Sequence, residues 1–242
     1  MPALLQVDGL TKSFGGLLAV SSMSLAVSPG EVLGLIGPNG SGKTTLLNLI
    51  AGTIRSDAGT IRIAGEDVTR LPNHLRVRKR INRTFQLVRM PPNLPAIVGV
   101  MAGVMYGAEP KHYRDAEGAA AAILAELDLL PKAGYRLDQL TYIEQKRVEL
   151  ARALATRPQV LLLDEWLSGL SAGELEGGMA MVRQLAAQGL AVILVEHVMT
   201  AVRALCARVV VMNAGLKIAE GPPAEVLQDA EVIRAYLGDE DA

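Results

Sequence analysis

The sequence is poor in the residues that mark disulfide-stabilised, highly charged or membrane-spanning proteins. It has one cysteine, Cys206, which excludes an internal disulfide and fits a reducing compartment. The formal net charge is −1, so the chain has no global attraction to nucleic acid or to anionic lipid. No apolar run approaches the roughly 18 residues that a membrane-spanning helix needs. Aromatic residues make up only 3% of the chain, with two phenylalanines and one tryptophan.

What the sequence does have is size and apolar content. Its 242 residues can form one large domain, and 50% of them are hydrophobic. The first ten residues lack a basic segment and include Asp8, so we expect no signal peptide and a cytoplasmic location. Cys206 sits in an apolar run, which predicts a buried structural thiol.

A glycine-rich loop lies between an apolar run, Val32 to Ile36, and an apolar segment suited to a helix, Thr45 to Ile50. The loop matches the spacing G-x-x-x-x-G-K-[ST]. Backbone N–H groups in such a loop point inward and, with the helix behind them, form an anion site. Lys43 can then reach the β- and γ-phosphates, and the Thr44 hydroxyl can bind Mg²⁺. The alternative is a glycine-rich turn with no ligand.

Two further apolar runs end in polar side chains. Val160 to Leu163 is followed by Asp164 and Glu165, and Leu190 to Val195 is followed by Glu196 and His197. Because ligands of open α/β sheets gather at the carboxyl ends of the strands, Asp164, Glu165 and His197 are candidates for catalysis. One carboxylate would serve Mg²⁺ and the other a water molecule. The alternative for His197 is a histidine with only a structural role.

Two other features each allow two interpretations. Phe14 lies beside Gly15 and Gly16, in a segment, 11–16, that we expect to connect two strands; its ring is either packed core or a surface for adenine. Five basic residues occur between Leu75 and Arg83, which suggests either nucleic-acid binding or a solvated helical face. Val77 and Ile81 are four residues apart, so we favour the helical face and expect no nucleic-acid partner.

These motifs together make the chain resemble the ATP-binding subunits of ABC transporters along nearly its full length. Within that family it is most similar to the ATPases of branched-chain amino-acid importers. The fold implied is α/β: a P-loop NTPase (RecA-like) parallel-sheet core with an antiparallel β subdomain and an inserted α-helical subdomain. The core would take 1–86 and 156–242 of one ABC ATPase domain, and the helical subdomain 87–155. The matching segments are FGGLLAV, GPNGSGKTT, NRTFQ, ARALATRP, LLLDE, VEH and KIAEGPPAEVLQDAEVIRAYLG.

The resemblance implies a role for each matching residue. Phe14 would stack on adenine, Asp164 would hold Mg²⁺ through water, Glu165 would polarise the attacking water, and His197 would contact the γ-phosphate. Gln86 would contact Mg²⁺ or that water. The phosphates would be held by Gly37, Pro38, Asn39, Gly40, Ser41, Gly42, Lys43, Thr44 and Thr45.

The resemblance also implies partners. Two ATPase subunits sandwich two ATP molecules, and their closure drives two polytopic membrane permease subunits at the inner face of the cell membrane. A periplasmic solute-binding protein would take part indirectly. The apolar segment Leu87 to Tyr106 follows Gln86 and either docks on the membrane subunits or fills the core of the helical subdomain. A charge at Val88 would distinguish the two.

The chain departs from the family pattern at three positions. Ile143 stands where the family has glycine, Trp166 where it usually has proline, and Ser171 where Asp or Asn is usual. In the family all three positions fall where one subunit meets the other, so these departures bear on closure of the dimer more than on ATP binding. In the family the signature segment, residues 140–145, faces the γ-phosphate that the other subunit holds. Because Ile143 restricts the backbone at that contact, we expect a partner ATPase of a different chain. The residues that follow Leu140 in this segment are Thr141, Tyr142, Ile143, Glu144 and Gln145. Thr141 with Glu144 three residues later is a capping-box pattern, which predicts that a helix begins here.

The predicted function is that of an ATP-hydrolysing subunit, with ATP and Mg²⁺, in an importer for branched-chain amino acids or similar small solutes. Three alternatives stay open. A lipopolysaccharide-type exporter ATPase shares the chemistry, and a soluble ABC ATPase acting on nucleic acid shares the fold. An inactive nucleotide-binding module is suggested only by Ile143.

Overall fold

The structure is a computed structural model, and it describes residues 3–84 and 90–237. Its strands, in chain order, are β1 (Leu5–Phe14), β2 (Leu17–Val27), β3 (Val32–Ile36), β4 (Ala58–Ile63), β5 (Glu66–Asp67), β6 (Ile81–Arg83), β7 (Val160–Asp164), β8 (Ala191–Val195), β9 (Arg208–Asn213) and β10 (Leu216–Gly221). Its α-helices are α1 (Lys43–Ala51), α2 (Asn73–Arg78), α3 (Ala96–Tyr106), α4 (Tyr113–Glu126), α5 (Tyr142–Ala155), α6 (Ala172–Ala187), α7 (Met199–Leu205), α8 (Pro223–Val226) and α9 (Ala230–Leu237). Short 3₁₀ turns lie at Leu130–Lys132 and Leu137–Gln139.

The larger sheet has six strands in the order β10-β9-β3-β8-β7-β6. All its pairings are parallel except that of β9 with β10, which form a hairpin. Every residue of β3, β7 and β8 is buried, as continuous apolar strands covered on both faces should be. The sheet is the predicted parallel core.

The carboxyl ends of the central strands meet at one edge of this sheet. In the strand register, Leu35 of β3 pairs with Val195 of β8, and Val195 pairs with Asp164 of β7. The residues that follow these strands therefore emerge side by side, and this alignment positions the site described below.

The smaller sheet is antiparallel, with the order β2-β1-β4-β5. Its buried side chains, among them Val7 and Ile61, join one face of the larger sheet in a single core cluster. The expectation that residues 11–16 connect two strands is wrong, because β1 continues to Phe14. Gly15 and Gly16 have φ of 52° and 90°, which allows a two-residue hairpin turn to close directly behind the strand.

The helical part of the chain enters between β6 and β7. Helix α3 packs against both α4 and α5. Buried side chains of these helices, such as Val100 and Leu124, belong to the same cluster as the other face of the large sheet, for example Leu161. Since that cluster is continuous, the division at 86/87 and 155/156 stays a proposal.

The basic segment 75–83 differs from its predicted form. Helix α2 ends at Arg78, and Arg80 takes a left-handed φ of 67°, so Ile81 opens strand β6 and shares no helical face with Val77. Arg76 is buried, and its guanidinium donates to the carbonyl oxygens of Leu49 (2.5 Å) and Ile50 (2.8 Å). Part of this charge therefore caps the carboxyl end of α1 and does not face solvent.

Across residues 3–84 and 90–237, no helix combines the length and the apolar character that crossing a membrane requires.

Candidate functional site

The glycine-rich loop turns sharply between β3 and α1. Gly37 has φ of 146° and Gly42 has φ of 103°, both outside the range that side-chain-bearing residues favour. A Cβ atom at Gly37 would lie 2.0 Å from the Met212 carbonyl oxygen, and one at Gly42 would lie 2.3 Å from the Ala19 carbonyl oxygen. The spacing of these glycines is therefore demanded by both backbone angle and close packing.

Lys43 is the first residue of α1 and lies inside the loop. The residue is 6% exposed, and its ammonium donates to the carbonyl oxygens of Gly37 and Pro38, both at 2.7 Å. A third contact reaches the Ser41 hydroxyl oxygen at 3.3 Å. The loop thus holds a positive charge at the amino end of a helix, where an anion is favoured.

A cleft of about 410 Å³ opens over this loop, within the ordinary size range of a small-molecule site. Phe14 lines it and is 48% exposed, at the end of the β1–β2 hairpin. Glu165 lines it from the large sheet, and Ala214 and Gly215 line it from the β9–β10 turn. The structure thus brings Phe14 and Glu165 together with the loop residues Asn39, Gly40, Ser41, Gly42, Lys43, Thr44 and Thr45.

Asp164, the last residue of β7, is 4% exposed and forms a buried ion pair with Arg83 of β6. The distance from the guanidinium to the carboxylate is 2.9 Å, and a second guanidinium nitrogen donates to the Asn48 side-chain oxygen at 2.6 Å. Burial raises the pKa of Asp164, and the charge of Arg83 opposes that rise. The pair keeps a carboxylate at the edge of the sheet where water is largely excluded.

Glu165 follows Asp164 and adopts a left-handed backbone, with φ of 51°. Its N–H donates to the carbonyl oxygen of Val195 at 2.9 Å, which ties it to the end of β8. The side chain meets His197, with 2.8 Å between the Glu165 Oε1 and the His197 Nε2. The two residues predicted to act on water and phosphate are therefore direct neighbours.

The oxygen donors near the cleft fit Mg²⁺. This ion prefers carboxylate and hydroxyl oxygens and usually shares its coordination with substrate phosphates and water. Thr44 offers a hydroxyl in the cleft, and Asp164 offers a carboxylate directly before Glu165, which lines the cleft. In the described part of the chain, no group of three or more His, Cys, Asp or Glu side chains could hold a metal ion by itself. A shared site is the kind these residues suit.

The signature segment lies elsewhere. None of Thr141, Tyr142, Ile143, Glu144 and Gln145 lines the cleft over Lys43. Glu144 caps its own helix, since its carboxylate accepts the N–H of Thr141 at 3.0 Å, as the capping-box pattern predicts. Ile143 lies in the first turn of α5 and is only 9% exposed. The expectation that Ile143 places its side chain at the contact with the other subunit's phosphate is therefore wrong for this chain.

Trp166, the second departure from the family pattern, is also buried in the interior and not at a subunit contact. It is 1% exposed, and its indole N–H donates to the carbonyl oxygen of Lys146 at 3.2 Å. Of the three departures from the family pattern, only Ser171 is exposed, and it caps α6 through a hydrogen bond from its N–H to the Glu174 carboxylate at 2.9 Å. Two of the three positions are interior, so they do not form the subunit surface that we expected of all three.

Several residues around the site were missed from the sequence. Arg83, Lys146 and Glu196 are all buried and charged, and each contacts the strand end or loop that carries Asp164 and Glu165. Glu196 follows a buried strand, so the reasoning applied to His197 could have found it. Arg83 and Lys146 carry no such signal. Gln86 lies outside the described residues.

Comparison with known families gives two matches. The family described as "ABC transporter" matches residues 20–168, more than half of the chain. The family described as "Branched-chain amino acid ATP-binding cassette transporter" matches residues 217–242.

The curated relatives match over nearly the whole chain. The high-affinity branched-chain amino acid transport ATP-binding protein BraF of Pseudomonas aeruginosa is 37% identical, covering 98% of each chain. The corresponding protein LivG of Escherichia coli is 34% identical, again over 98% of each. The lipopolysaccharide export system ATP-binding protein LptB of Escherichia coli is also 34% identical over 98% of each. Overall identity thus separates LivG from LptB poorly.

Solved structures also match over most of the chain. The ADP conformation of an ATP-binding cassette of an ABC transporter superposes with a TM-score of 0.90, at 29% identity, covering 98% of this chain and 100% of that one. A dimeric ATP-binding cassette in a post-hydrolysis state, bound to ADP and Pi, superposes with a TM-score of 0.80 at 25% identity, covering 90% of this chain and 98% of that one.

Proposed function

The chain belongs to the ABC transporter ATP-binding family, and from that membership we propose that it binds and hydrolyses ATP to drive an importer for branched-chain amino acids or similar small organic solutes. The importer assignment is supported by the match of residues 217–242 to the branched-chain amino acid family and by the similarity to BraF. The hydrolytic assignment is carried by one observation: the Glu165–His197 contact at 2.8 Å, beside the cleft over the phosphate loop.

In the proposed mechanism, Phe14 stacks on adenine and the loop 37–45 holds the phosphates through its N–H groups. Lys43 neutralises the β- and γ-phosphates. Glu165 accepts a hydrogen bond from the attacking water and orients it, while His197 contacts the γ-phosphate.

Mg²⁺ would be held by Thr44 and Asp164, with Gln86 as a further contact. When bound, the ion neutralises charge on the phosphate oxygens.

The proposed assembly contains this chain, a second ATPase subunit, two polytopic permease subunits and, indirectly, a periplasmic solute-binding protein, at the inner face of the cell membrane. The argument for a partner of a different chain depended on Ile143 at an open contact. Because Ile143 is buried, that argument no longer favours a different chain over a second copy. No nucleic acid has a role in this proposal.

The test compares two variants within the assembled transporter. Glu165→Gln should keep ATP binding and lose turnover by about a hundredfold or more, because the water loses its carboxylate while the phosphate contacts stay. Lys43→Ala should weaken ATP binding and turnover together. Both are measured as ATP affinity and as the rate of phosphate release.

Near-normal turnover in Glu165→Gln would remove this residue from its proposed role. The solute is tested separately, as uptake of labelled leucine by cells that depend on this subunit. The similarity to LptB makes a lipopolysaccharide exporter the second candidate, and loss of lipopolysaccharide export with leucine uptake unchanged would favour it.

A further inference from the structure

The loop that carries Glu165 is held by a buried lysine from another element. Lys146 lies on α5 and is 2% exposed. Its ammonium donates to the carbonyl oxygens of Glu165 (3.1 Å), Trp166 (2.9 Å) and Ser168 (2.9 Å). A lysine ammonium has three donors, and here three carbonyl oxygens of one short loop accept from it.

A buried carboxylate also binds this loop. Glu196, directly after β8, is 1% exposed. Its two oxygens accept the N–H of Leu167 at 2.6 Å and the hydroxyl of Ser168 at 2.9 Å. Residues 165–168 are therefore bound by two charged groups. The Lys146 ammonium binds their carbonyl oxygens, and the Glu196 carboxylate binds their N–H and O–H donors.

These hydrogen bonds are important because the loop begins in an unfavourable backbone conformation. The left-handed backbone of Glu165, a residue with a side chain, is sparsely populated and persists only where its surroundings impose it. Burying a lysine and a glutamate is itself costly unless their hydrogen bonds are satisfied. Two buried charges bound to one loop therefore indicate that their role is to fix the conformation of that loop.

Lys146 also connects the loop to the signature segment of the same chain. Its ammonium lies 4.8 Å from the centre of the Tyr142 ring, one helical turn earlier on α5. The ring in turn lies beside Gly169, just past the loop, where an added Cβ would be 3.6 Å from a ring carbon. A displacement of the amino end of α5 would therefore move Lys146 and the carbonyl oxygens it binds.

We propose that Lys146 and Glu196 are positioning residues. Together they impose the loop conformation that orients the Glu165 carboxylate toward His197. Through Lys146, this orientation also depends on the position of the signature segment. This inference rests on the proposed function, since it assigns Glu165 its role in hydrolysis. The contact lies within one subunit, and through it a displacement of α5 would change the orientation of the carboxylate that orients water.

The sole tryptophan of the chain makes the loop observable without any assay of activity. Trp166 is the only tryptophan, and it lies within the loop. Its fluorescence emission therefore reports the environment of this loop alone. The native chain should emit as a fully buried indole, since Trp166 is 1% exposed.

The experiment uses Lys146→Met, which keeps an unbranched side chain of similar length and removes its three N–H donors. Glu196→Gln tests the second contact independently. Lys111→Met, at an exposed lysine of the helical part, is the matched control. Each is assayed in the assembled transporter for kcat, KM and ATP affinity, and as the isolated chain for tryptophan emission and thermal unfolding.

We expect Lys146→Met to lower kcat by about tenfold or more, to leave ATP affinity within about twofold, and to shift the Trp166 emission at temperatures well below unfolding. Glu196→Gln should act in the same direction, which keeps the inference testable if Lys146→Met does not fold. In the Glu165→Gln background, Lys146→Met should cause little further loss of turnover, because both changes act through one carboxylate. Lys111→Met should match the native chain.

Native kcat in both Lys146→Met and Glu196→Gln overturns the inference, and so does a loss of ATP affinity as large as the loss of kcat. Failure of the proposed function looks different: Glu165→Gln would itself retain turnover, whatever Lys146→Met does.

Discussion

At the scale of single residues, the Arg83–Asp164 pair shows how the chain keeps a carboxylate in the interior, where desolvation of a charge is unfavourable. Both side chains are almost completely buried, and the pair is 2.9 Å apart. A buried ion pair contributes little net stability, because desolvation offsets the attraction, yet removing one partner leaves an uncompensated charge. Arg83 is therefore best understood as the group that keeps Asp164 in place at the sheet edge.

Cys206 provides a prediction at this scale. Burial raises the pKa of its thiol to about 12, so at pH 8 only about one molecule in ten thousand carries the reactive thiolate. The thiol also packs against β3, where a Cβ on Gly34 would lie 3.0 Å from the sulfur. A thiol-specific reagent such as Ellman's reagent should therefore react slowly with the folded chain at pH 8 and stoichiometrically after denaturation. Complete reaction of the folded chain within a minute would show that Cys206 is accessible.

At the scale of secondary-structure elements, α5 has more roles than its amphipathic pattern indicates. Its first turn holds the capping pair Thr141 and Glu144 and buries Ile143. Its second turn supplies Lys146 to the loop after β7. One helix therefore connects the signature segment to the backbone of the loop that carries the proposed catalytic residue Glu165.

The burial of Ile143 reverses an expectation from the sequence. A change to glycine would look like restoration of the family pattern, yet here it removes a buried side chain and weakens a helix. We expect Ile143→Gly to destabilise the chain by about 3 kcal/mol, which corresponds to a fall in melting temperature of roughly 6–12 °C.

Ile143→Val is the control for that change and should cost about 1 kcal/mol. Both variants are compared by thermal unfolding of the isolated chain. A glycine variant as stable as the native chain, with faster ATP hydrolysis in the assembled transporter, would instead return Ile143 to the subunit contact.

Helix α3 lies in the apolar segment that either docks on the membrane subunits or fills the core of the helical subdomain. Met90 and Met101 are buried, which fits the core alternative for them. The outward side of α3 nevertheless exposes apolar residues four apart, Val98, Ala102 and Tyr106. This strip agrees with a role of α3 in docking, and Val88, the position first chosen for a test, lies outside the described residues.

We therefore expect Tyr106→Glu, at a side chain that is 69% exposed, to reduce assembly with the membrane subunits while the isolated chain unfolds at its normal temperature. Met101→Glu is the matched control and should unfold the chain, because it buries an unpaired charge. Co-purification with the membrane subunits and thermal unfolding measure the two effects. Normal assembly of Tyr106→Glu would place the docking surface elsewhere.

At the scale of the whole molecule, the cleft over the phosphate loop is incomplete by the family's pattern. The signature segment does not line its own chain's cleft, and a related cassette with a TM-score of 0.80 forms a dimer with ADP and Pi bound. The proposed second ATPase subunit would supply that segment.

Because the burial of Ile143 removes the reason for asymmetry, we expect the Glu165→Gln chain to dimerise with itself when ATP is present, since ATP stays bound without being hydrolysed. Light scattering after size-exclusion chromatography measures this, with Lys43→Ala as the control that should stay monomeric. A Glu165→Gln chain that remains monomeric with saturating ATP would restore the idea that the partner ATPase is a different chain.

The sequence by itself was sufficient for the elements whose pattern is local. The phosphate loop, the buried strands before Asp164 and His197, and the capped helix at Thr141 all follow from residues adjacent along the chain. Backbone angles, apolar runs and capping contacts act within a few residues, so they can be recognised without a fold. The same is true of the buried Cys206.

Only the tertiary structure decided which charged side chains support the site. Arg83 reaches Asp164 across 81 positions of the chain, and Glu196 reaches Leu167 across 29. Lys146 and Ile143 sit on one helix, and their burial depends on what packs over each face of it. Such contacts are set by the strand order of the sheet and by the packing of helices against it, and no local pattern of residues specifies them. For that reason the sequence predicted the residues proposed to contact ATP, and the fold revealed those that hold them.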